Sequence, residues 1–323
     1  HELRPTVIAL HDARVAAANI SAIYTVVLDA LTRRLLELAV AERDAPSPAF
    51  AWLALGSHAR REATPGSDLD SAIVWFEDPD SVRVRDHLHG IGKEVVAGLE
   101  RCGLRRDARG VTAAEALVVR SLESWQRAVR SWLEQPRQEQ ALILVSVFLD
   151  SRPVWGVHMG SPVADTFAAA PRNEALLRLL ARFALSYRPP TGFMRGIVVE
   201  HSGEHRGRLD VKHGGLLPIV DLARWAGMAA GVTSASTPER LHAAADAGTL
   251  SVGDARTLLD AFELISDLRL THQIEQLRVG RAPDDHVDPN ALSELTRSHL
   301  KEAFRAIASV QKRVASELSL GVR

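Results

Sequence analysis

Residues 53–75 read LALGSHARREATPGSDLDSAIVW. An apolar run, Trp52 to Leu55, stops at Gly56-Ser57; a polar, Arg-rich segment follows; the turn signal Pro65-Gly66 then leads to Asp68-Leu69-Asp70 and a second apolar run, Ile73 to Phe76. The pattern is that of a strand, a small-residue loop and a strand that opens on two carboxylates. Residues i and i+2 of a strand share a face, so Asp68 and Asp70 project side by side. Two adjacent carboxylates repel unless a cation lies between them, and an oxygen pair of this kind suits Mg²⁺. Gly56 lets the backbone approach a phosphate closely and Ser57 adds a hydroxyl, so the stretch is expected to hold a metal and a nucleoside triphosphate.

Outward from this stretch, residues 11–43 lack Gly and Pro. They carry Ile20, Ile23, Val27, Leu31, Leu35 and Leu38 at helical spacing, which predicts an amphipathic helix, broken at most once. Ala45-Pro46-Ser47-Pro48 ends it. After the motif, Ser81 to Arg101 reads as a helix with Leu88, Ile91, Val95 and Leu99 on one face and Gly103 just beyond its end. Leu104 to Val111 is a candidate third strand. Ala113 to Leu149 reads as helical, with Trp125, Val129, Trp132 and Leu133 on one face and a division at Pro136; Ser151-Arg152-Pro153 and Gly156 mark a break. The remainder alternates helical segments with Pro/Gly punctuation: Asn173–Tyr187, Pro218–Ala230, one starting at Thr237-Pro238, Thr257–Gln276 and Leu292–Leu318. Its one candidate strand is Ile197–Val199. The expected fold is α+β. A small α/β domain with a short mixed sheet and an N-terminal helix, residues 1–160, precedes an all-helical bundle domain, residues 161–323.

The chain has 323 residues, enough for two cores. Lys and Arg number 39 against 40 Asp and Glu, for a net charge of -1, so no global field draws the protein to nucleic acid. The single cysteine, Cys102, excludes an internal disulfide and fits a reducing, cytoplasmic setting. No apolar run approaches the ~20 residues that span a bilayer. The first residue is His1 rather than Met, which points to a tag remnant or a missing upstream part.

Other candidate residues admit two readings each. Arg60 can bind phosphate oxygens through its guanidinium or pair with Glu62; Arg61 is read as solvent-facing. Lys212, in a Lys-His-Gly-Gly turn at a helix start, can meet a nucleotide phosphate or base, or stand as a surface lysine. Arg269, His272 and Gln273 can line a cleft or form a buried polar contact with Asp267 or Asp221. His87 and His89, two apart on a helix, do not share a face, and His201 and His205, four apart, flank Gly203 in a loop; both pairs read as solvated.

The spacing Gly56-Ser57, ten residues, Asp68-x-Asp70 resembles the signature of the DNA polymerase β-like nucleotidyltransferase superfamily. The fuller string Gly56-Ser57-x-x-Arg60-x-Glu62…Asp68-x-Asp70 looks more specifically like the bacterial DUF294 proteins, relatives of the PII-protein uridylyltransferases and glutamine synthetase adenylyltransferases. The likeness extends through Trp125, Trp132, Asp150-x-Arg152-x-x-x-Gly156, Asp210-x-Lys212, Pro218-Ile219-x-Asp221-x-Ala223-Arg224 and Leu268-Arg269-x-x-x-His272-Gln273. The chain departs from that pattern at His58-Ala59, Ala63 and Leu69, where such proteins usually have Glu-Gly, Gln and Gln. It also departs at Asp107-Ala108-Arg109-Gly110, where they commonly have a Cys-Pro-Gly-Gly-like turn.

The resemblance implies a polymerase β-like nucleotidyltransferase domain followed by a helical substrate-binding domain, with CBS or cyclic-nucleotide-binding modules often placed upstream. It implies transfer of NMP from an NTP, with Mg²⁺ or Mn²⁺, to a hydroxyl on a protein acceptor in signalling or regulation. It also implies a third carboxylate that helps activate the attacking hydroxyl and hold a second metal. Asp107, on the candidate third strand, is the expected third acid, Asp150 is its rival, and a site with no third acid is the remaining alternative. A catalytically inactive nucleotide-binding regulatory module is the alternative to an enzyme.

Overall fold

A computed structural model of the chain describes residues 3–43, 46–78, 80–105, 111–134, 148–156, 173–190, 204–233 and 235–318. Two compact units divide the chain. His1–Thr6, Ile20–Ala169 and Thr233–Ser236 form one, and Val7–Asn19, Ala170–Val232 and Thr237–Arg323 form the other.

The first unit is built on a four-stranded mixed sheet of order β3-β2-β1-β4. Its strands are β1 (Phe50–Leu55), β2 (Ser71–Trp75), β3 (Val119–Ser121) and β4 (Ser151–Trp155). β1 and β2 are antiparallel and central, and every residue of both is buried, which is why they read as unbroken apolar runs. Helices α1 (Leu3–Asp12) and α2 (Ala17–Ala41) precede β1, and a one-turn helix, α3 (Gly56–Ala59), follows it. From β2 the chain runs through α4 (Val82–Arg101) and returns as β3, parallel to β2 as a helical crossover requires. α5 (Leu122–Glu134) comes next. Phe50, Trp52, Ala54, Ile73, Trp75, Val119 and Val154 share one core with Leu36 and Ala39 of α2 and Leu88, Ile91, Val95 and Leu99 of α4. Trp125 of α5 donates its indole N–H to Ile73 O (3.4 Å) and tilts against Phe148 at 4.2 Å.

Ser81 caps α4 by accepting from Val84 N, and Gly103 follows its end at φ +87°, as the sequence predicts. Cys102, the C-terminal cap residue of α4, is exposed. Three expectations differ from the structure. Val119–Ser121, read as helix, is a strand too short to show a two-residue period. Ser151–Trp155, read as a break, is the edge strand β4, where Pro153 is tolerated because an edge strand need not donate every N–H. Of the expected stripe on α2, Ile20 is buried but Ile23, Val27 and Leu38 are exposed, and the helix also buries Tyr24, Leu28, Leu36 and Ala39 together with Ser21, Thr25, Asp29 and Thr32. Residues 135–147 and the candidate strand Ile197–Val199 lie outside the described residues.

The second unit is helical apart from a two-stranded ribbon of β5 (Leu209–Asp210) and β6 (His286–Val287). A π-helical turn, Lys212–Leu216, leads into α7 (Leu217–Ala229), which is buried along nearly its whole length. α6 (Glu174–Ala184), α8 (Thr237–Asp246), α9 (Val252–Arg278) and α10 (Glu294–Glu317) complete the unit. Asn173, Ser251 and Ser293 cap α6, α9 and α10, and α9 starts five residues before the expected Thr257. Gln311 of α10 donates to Ala184 O (3.1 Å) and Tyr187 O (2.7 Å), tying down the end of α6. No helix among the described residues is long and apolar enough to cross a membrane.

Two glycines on α4 give opposite expectations. A Cβ at Gly92 would lie 2.1 Å from Ala113 O, so Gly92→Ala must push the helix off its neighbour and is expected to cost about 1–3 kcal/mol. At Gly90 the nearest atom is Arg43 Nη2 at 3.6 Å, so Gly90→Ala gains helix propensity and is expected to stabilise by about 0.5–1 kcal/mol. Urea unfolding of both variants measures the two signs.

Candidate active site

The β1–β2 register pairs Ala54 with Ser71, and one step further Leu55 N donates to Asp70 O (3.0 Å). Asp70 therefore stands beside the point where the chain leaves β1 through Gly56. Gly56 takes φ +59°, and a Cβ there would lie 3.2 Å from Asp70 Oδ2. A side chain at this position would be strained and would crowd the carboxylate. Gly56 N donates in turn to Asp150 O (3.0 Å) at the start of β4. The end of β1 and the starts of β2 and β4 thus meet at one edge of the sheet.

The entry to β2 is held on its other side as well. Asp68 forms a parallel bridge with Arg105, Leu69 N donates to Arg105 O (3.3 Å), and Ser71 N donates to Val111 O (2.8 Å). Leu69 packs against the core of the unit, so alternation turns its neighbours Asp68 and Asp70 the opposite way, and both are half-buried. This accounts for the apolar residue between the two acids. Asp68 and Asp70, both half-buried and the second beside Gly56, offer the oxygen ligands that Mg²⁺ or Mn²⁺ take, with remaining positions left to water and phosphate. Among the described residues no three metal-type side chains gather. Asp107 lies outside the described residues.

Between the two motif halves the loop is tightly wound. Arg60 N donates to Gly56 O, Arg61 N to His58 O and Glu62 N to Ser57 O, with Arg61 at φ +61°. This is a Schellman arrangement with arginine in the left-handed position that glycine usually takes. Further on, Ser67 N donates to Thr64 O and Thr64 N to Ser67 Oγ, closing the turn around Pro65-Gly66.

Arg60 and Asp150, far apart in sequence, meet beside this loop. Arg60 is buried, and its guanidinium is bonded to Glu62 (2.6 Å) and to Asp150. Burial disfavours its charge, but the two carboxylates outweigh this and hold its pKa above the ordinary value. The guanidinium expected to reach a phosphate is committed to these acids. Asp150, the rival third acid, has its carboxylate fully buried against Arg60. Glu62 lies two residues away and was foreseeable as a partner; Asp150 lies ninety residues away and no spacing shows it.

A second buried cluster went unread. His58 Nε2 donates to Asp29 Oδ1 (2.9 Å), and Arg152 binds the same carboxylate through Nη1 (2.8 Å) and Nη2 (3.0 Å). Arg152 also donates to Ala59 O (3.2 Å) and His58 O (3.3 Å). Here His58 has a structural task of its own. The readable signal was the polar row Ser21, Thr25, Asp29 and Thr32 on an otherwise apolar helix, all four buried. Burial pushes the Asp29 carboxyl up, but the hydrogen bonds from His58 and Arg152 and their charge overcome it and hold it at about 2.

In the second unit Lys212 begins the π turn and is half-buried. Beside it, Asp210 accepts from His213 N (2.8 Å) and Nδ1 (2.7 Å), and the His205 ring stacks on His286 at 3.5 Å. Arg269 and Gln273 do form a buried polar contact, but with Asp285 (2.6 and 2.7 Å), while His272 meets Asp284 (3.2 Å). Asp267 accepts from Ala17 N and Asp221 from Arg224.

Two stability measurements check the buried charges. Arg60→Met leaves Asp150 buried without its cation and is expected to cost about 3–5 kcal/mol in urea unfolding. Asp29 has a folded pKa of about 2 against an ordinary 3.8, so its stabilisation is full above the unfolded value and lost as pH falls through the folded one. The stability gap between wild type and Asp29→Asn is therefore expected to narrow by about 1 kcal/mol between about pH 5 and about pH 3.

No curated protein matches the chain. Residues 1–139 match the family described as "Putative nucleotidyltransferase DUF294", and residues 174–318 match the one described as "Putative nucleotidyltransferase substrate binding domain". With its two matches spanning most of its length, the chain belongs to the DUF294 family.

Proposed function

We propose that the protein is a metal-dependent nucleotidyltransferase that moves NMP from an NTP to a hydroxyl on a protein acceptor. The observation that supports this reading is the meeting of Gly56 with Asp70, where a Cβ would lie 3.2 Å from the carboxylate, so that loop and acid are read as parts of one site. In this reading Asp68 and Asp70 hold Mg²⁺ or Mn²⁺, and Gly56 and Ser57 lie along the phosphates. When bound, the metal offsets charge on the triphosphate and favours ionisation of the acceptor hydroxyl. The acceptor oxygen forms a bond to the α-phosphorus, the bond from that phosphorus to its bridging oxygen breaks, and pyrophosphate leaves with the electron pair. Asp107 takes the hydroxyl proton. Arg60 acts indirectly, by fixing Glu62 and Asp150 on either side of the loop.

One observation favours a second reading, nucleotide binding without turnover: the guanidinium of Arg60 is committed to Glu62 and Asp150 instead of to phosphate.

The test is incubation with α-labelled ATP, UTP, CTP and GTP, Mg²⁺ or Mn²⁺ and cell lysate, with calorimetry alongside. Label is expected to pass to a protein band with release of pyrophosphate, and Asp68→Ala with Asp70→Ala is expected to abolish both. Transfer that survives the double substitution overturns the mechanism. Metal-dependent binding with no pyrophosphate released selects the second reading, and no binding of any nucleotide removes both.

A further inference from the structure

We propose that Asp29 is a positioning residue for the Gly56–Arg60 turn, and that affinity for the metal–nucleotide depends on this carboxylate although it lies outside the site. The dependence on affinity rests on the function proposed above; the control of the turn does not. A one-turn helix such as α3 can satisfy few of its own terminal carbonyls. Those of Gly56, Ser57 and His58 accept from Arg60, Arg61 and Glu62 N–H groups, whereas Ala59 O accepts from Arg152 Nε, and Arg152 Nη2 reaches His58 O as well.

Arg152 is a long, flexible side chain, and it is held in this pose by Asp29, which takes two of its guanidinium nitrogens. The same carboxylate takes His58 Nε2, so α2 grips the turn both directly and through β4. Arg33, one turn further along α2, bonds Val154 O (3.0 Å) and fixes α2 against the same strand. β4 meanwhile meets the start of the turn, where Asp150 O accepts from Gly56 N, and its end, where the Asp150 carboxylate binds Arg60. Removing the charge of Asp29 therefore loosens His58, Ala59 and Arg152 together while leaving Asp68, Asp70 and Gly56 chemically intact.

The experiment compares wild type, Asp29→Asn and Leu36→Val, the last being a core change on the same helix that lowers stability while leaving the hydrogen bonds of Asp29, His58 and Arg152 in place. Amide hydrogen exchange of residues 56–60 is followed in all three under conditions where each is folded. Calorimetric titration with Mg²⁺ and ATP, UTP, CTP or GTP follows. Asp29→Asn is expected to speed exchange across the turn and to weaken the tightest-binding nucleotide about tenfold, as loss of an outer orienting partner does; Leu36→Val is expected to change neither. Unchanged exchange in Asp29→Asn overturns the proposal, as does faster exchange with wild-type affinity, or an equal effect from Leu36→Val. If wild type binds no nucleotide, the proposed function fails on its own account. Exchange alone then decides the control of the turn: faster in Asp29→Asn supports it, unchanged overturns it.

Discussion

The antiparallel register of β1 and β2 is the constraint on which the candidate site depends. Because Leu55 N meets Asp70 O, the last residue of one strand and the second acid of the other are neighbours, and the loop between them must leave and return at one place. A slip of one residue would turn Asp68 and Asp70 toward the core and Leu69 toward solvent. The slip is opposed from both flanks. The fully buried, apolar faces of the two central strands have one good register, and Arg105 and Val111 pair with the entry to β2 from the other side.

Around this register the protein spends buried charge. Burying an ion pair returns little net stability compared with apolar packing, but it admits few alternative geometries. Two such groups flank the same loop, Arg60 with Glu62 and Asp150, and Asp29 with His58 and Arg152. Both meet at the start of β4, where Asp150, just before the strand, takes Arg60 of the turn region and Arg152, within it, takes Asp29 of α2. A strand at the margin of the sheet thereby acts as the loop's frame.

Much of this was legible in the sequence. The two central strands, the turn at Pro65-Gly66, the glycine exit and the paired acids all announce themselves through local patterns, because their physics is local: period, φ and adjacent charge. The helices of the second unit are legible from their period and their Pro/Gly punctuation, for the same local reason. What stayed hidden was non-local. The buried face of α2 was misassigned because an apolar stripe is the usual guide to burial. Here the polar row through Asp29 turns inward to meet partners about thirty and more than a hundred residues away. The contact of Arg60 with Asp150 was hidden for the same reason, since that carboxylate is remote in sequence. β3 was missed because three residues cannot display an alternation.

The exposed cap of α4 has a practical side. Cys102 is the chain's single cysteine, and it sits three residues before Arg105, whose backbone pairs with Asp68. A thiol-reactive fluorophore or spin label would therefore attach at one defined point without any engineering. That point lies on the segment that leads to the carboxylate pair, so the native protein carries a ready attachment site for a spectroscopic reporter of what happens there.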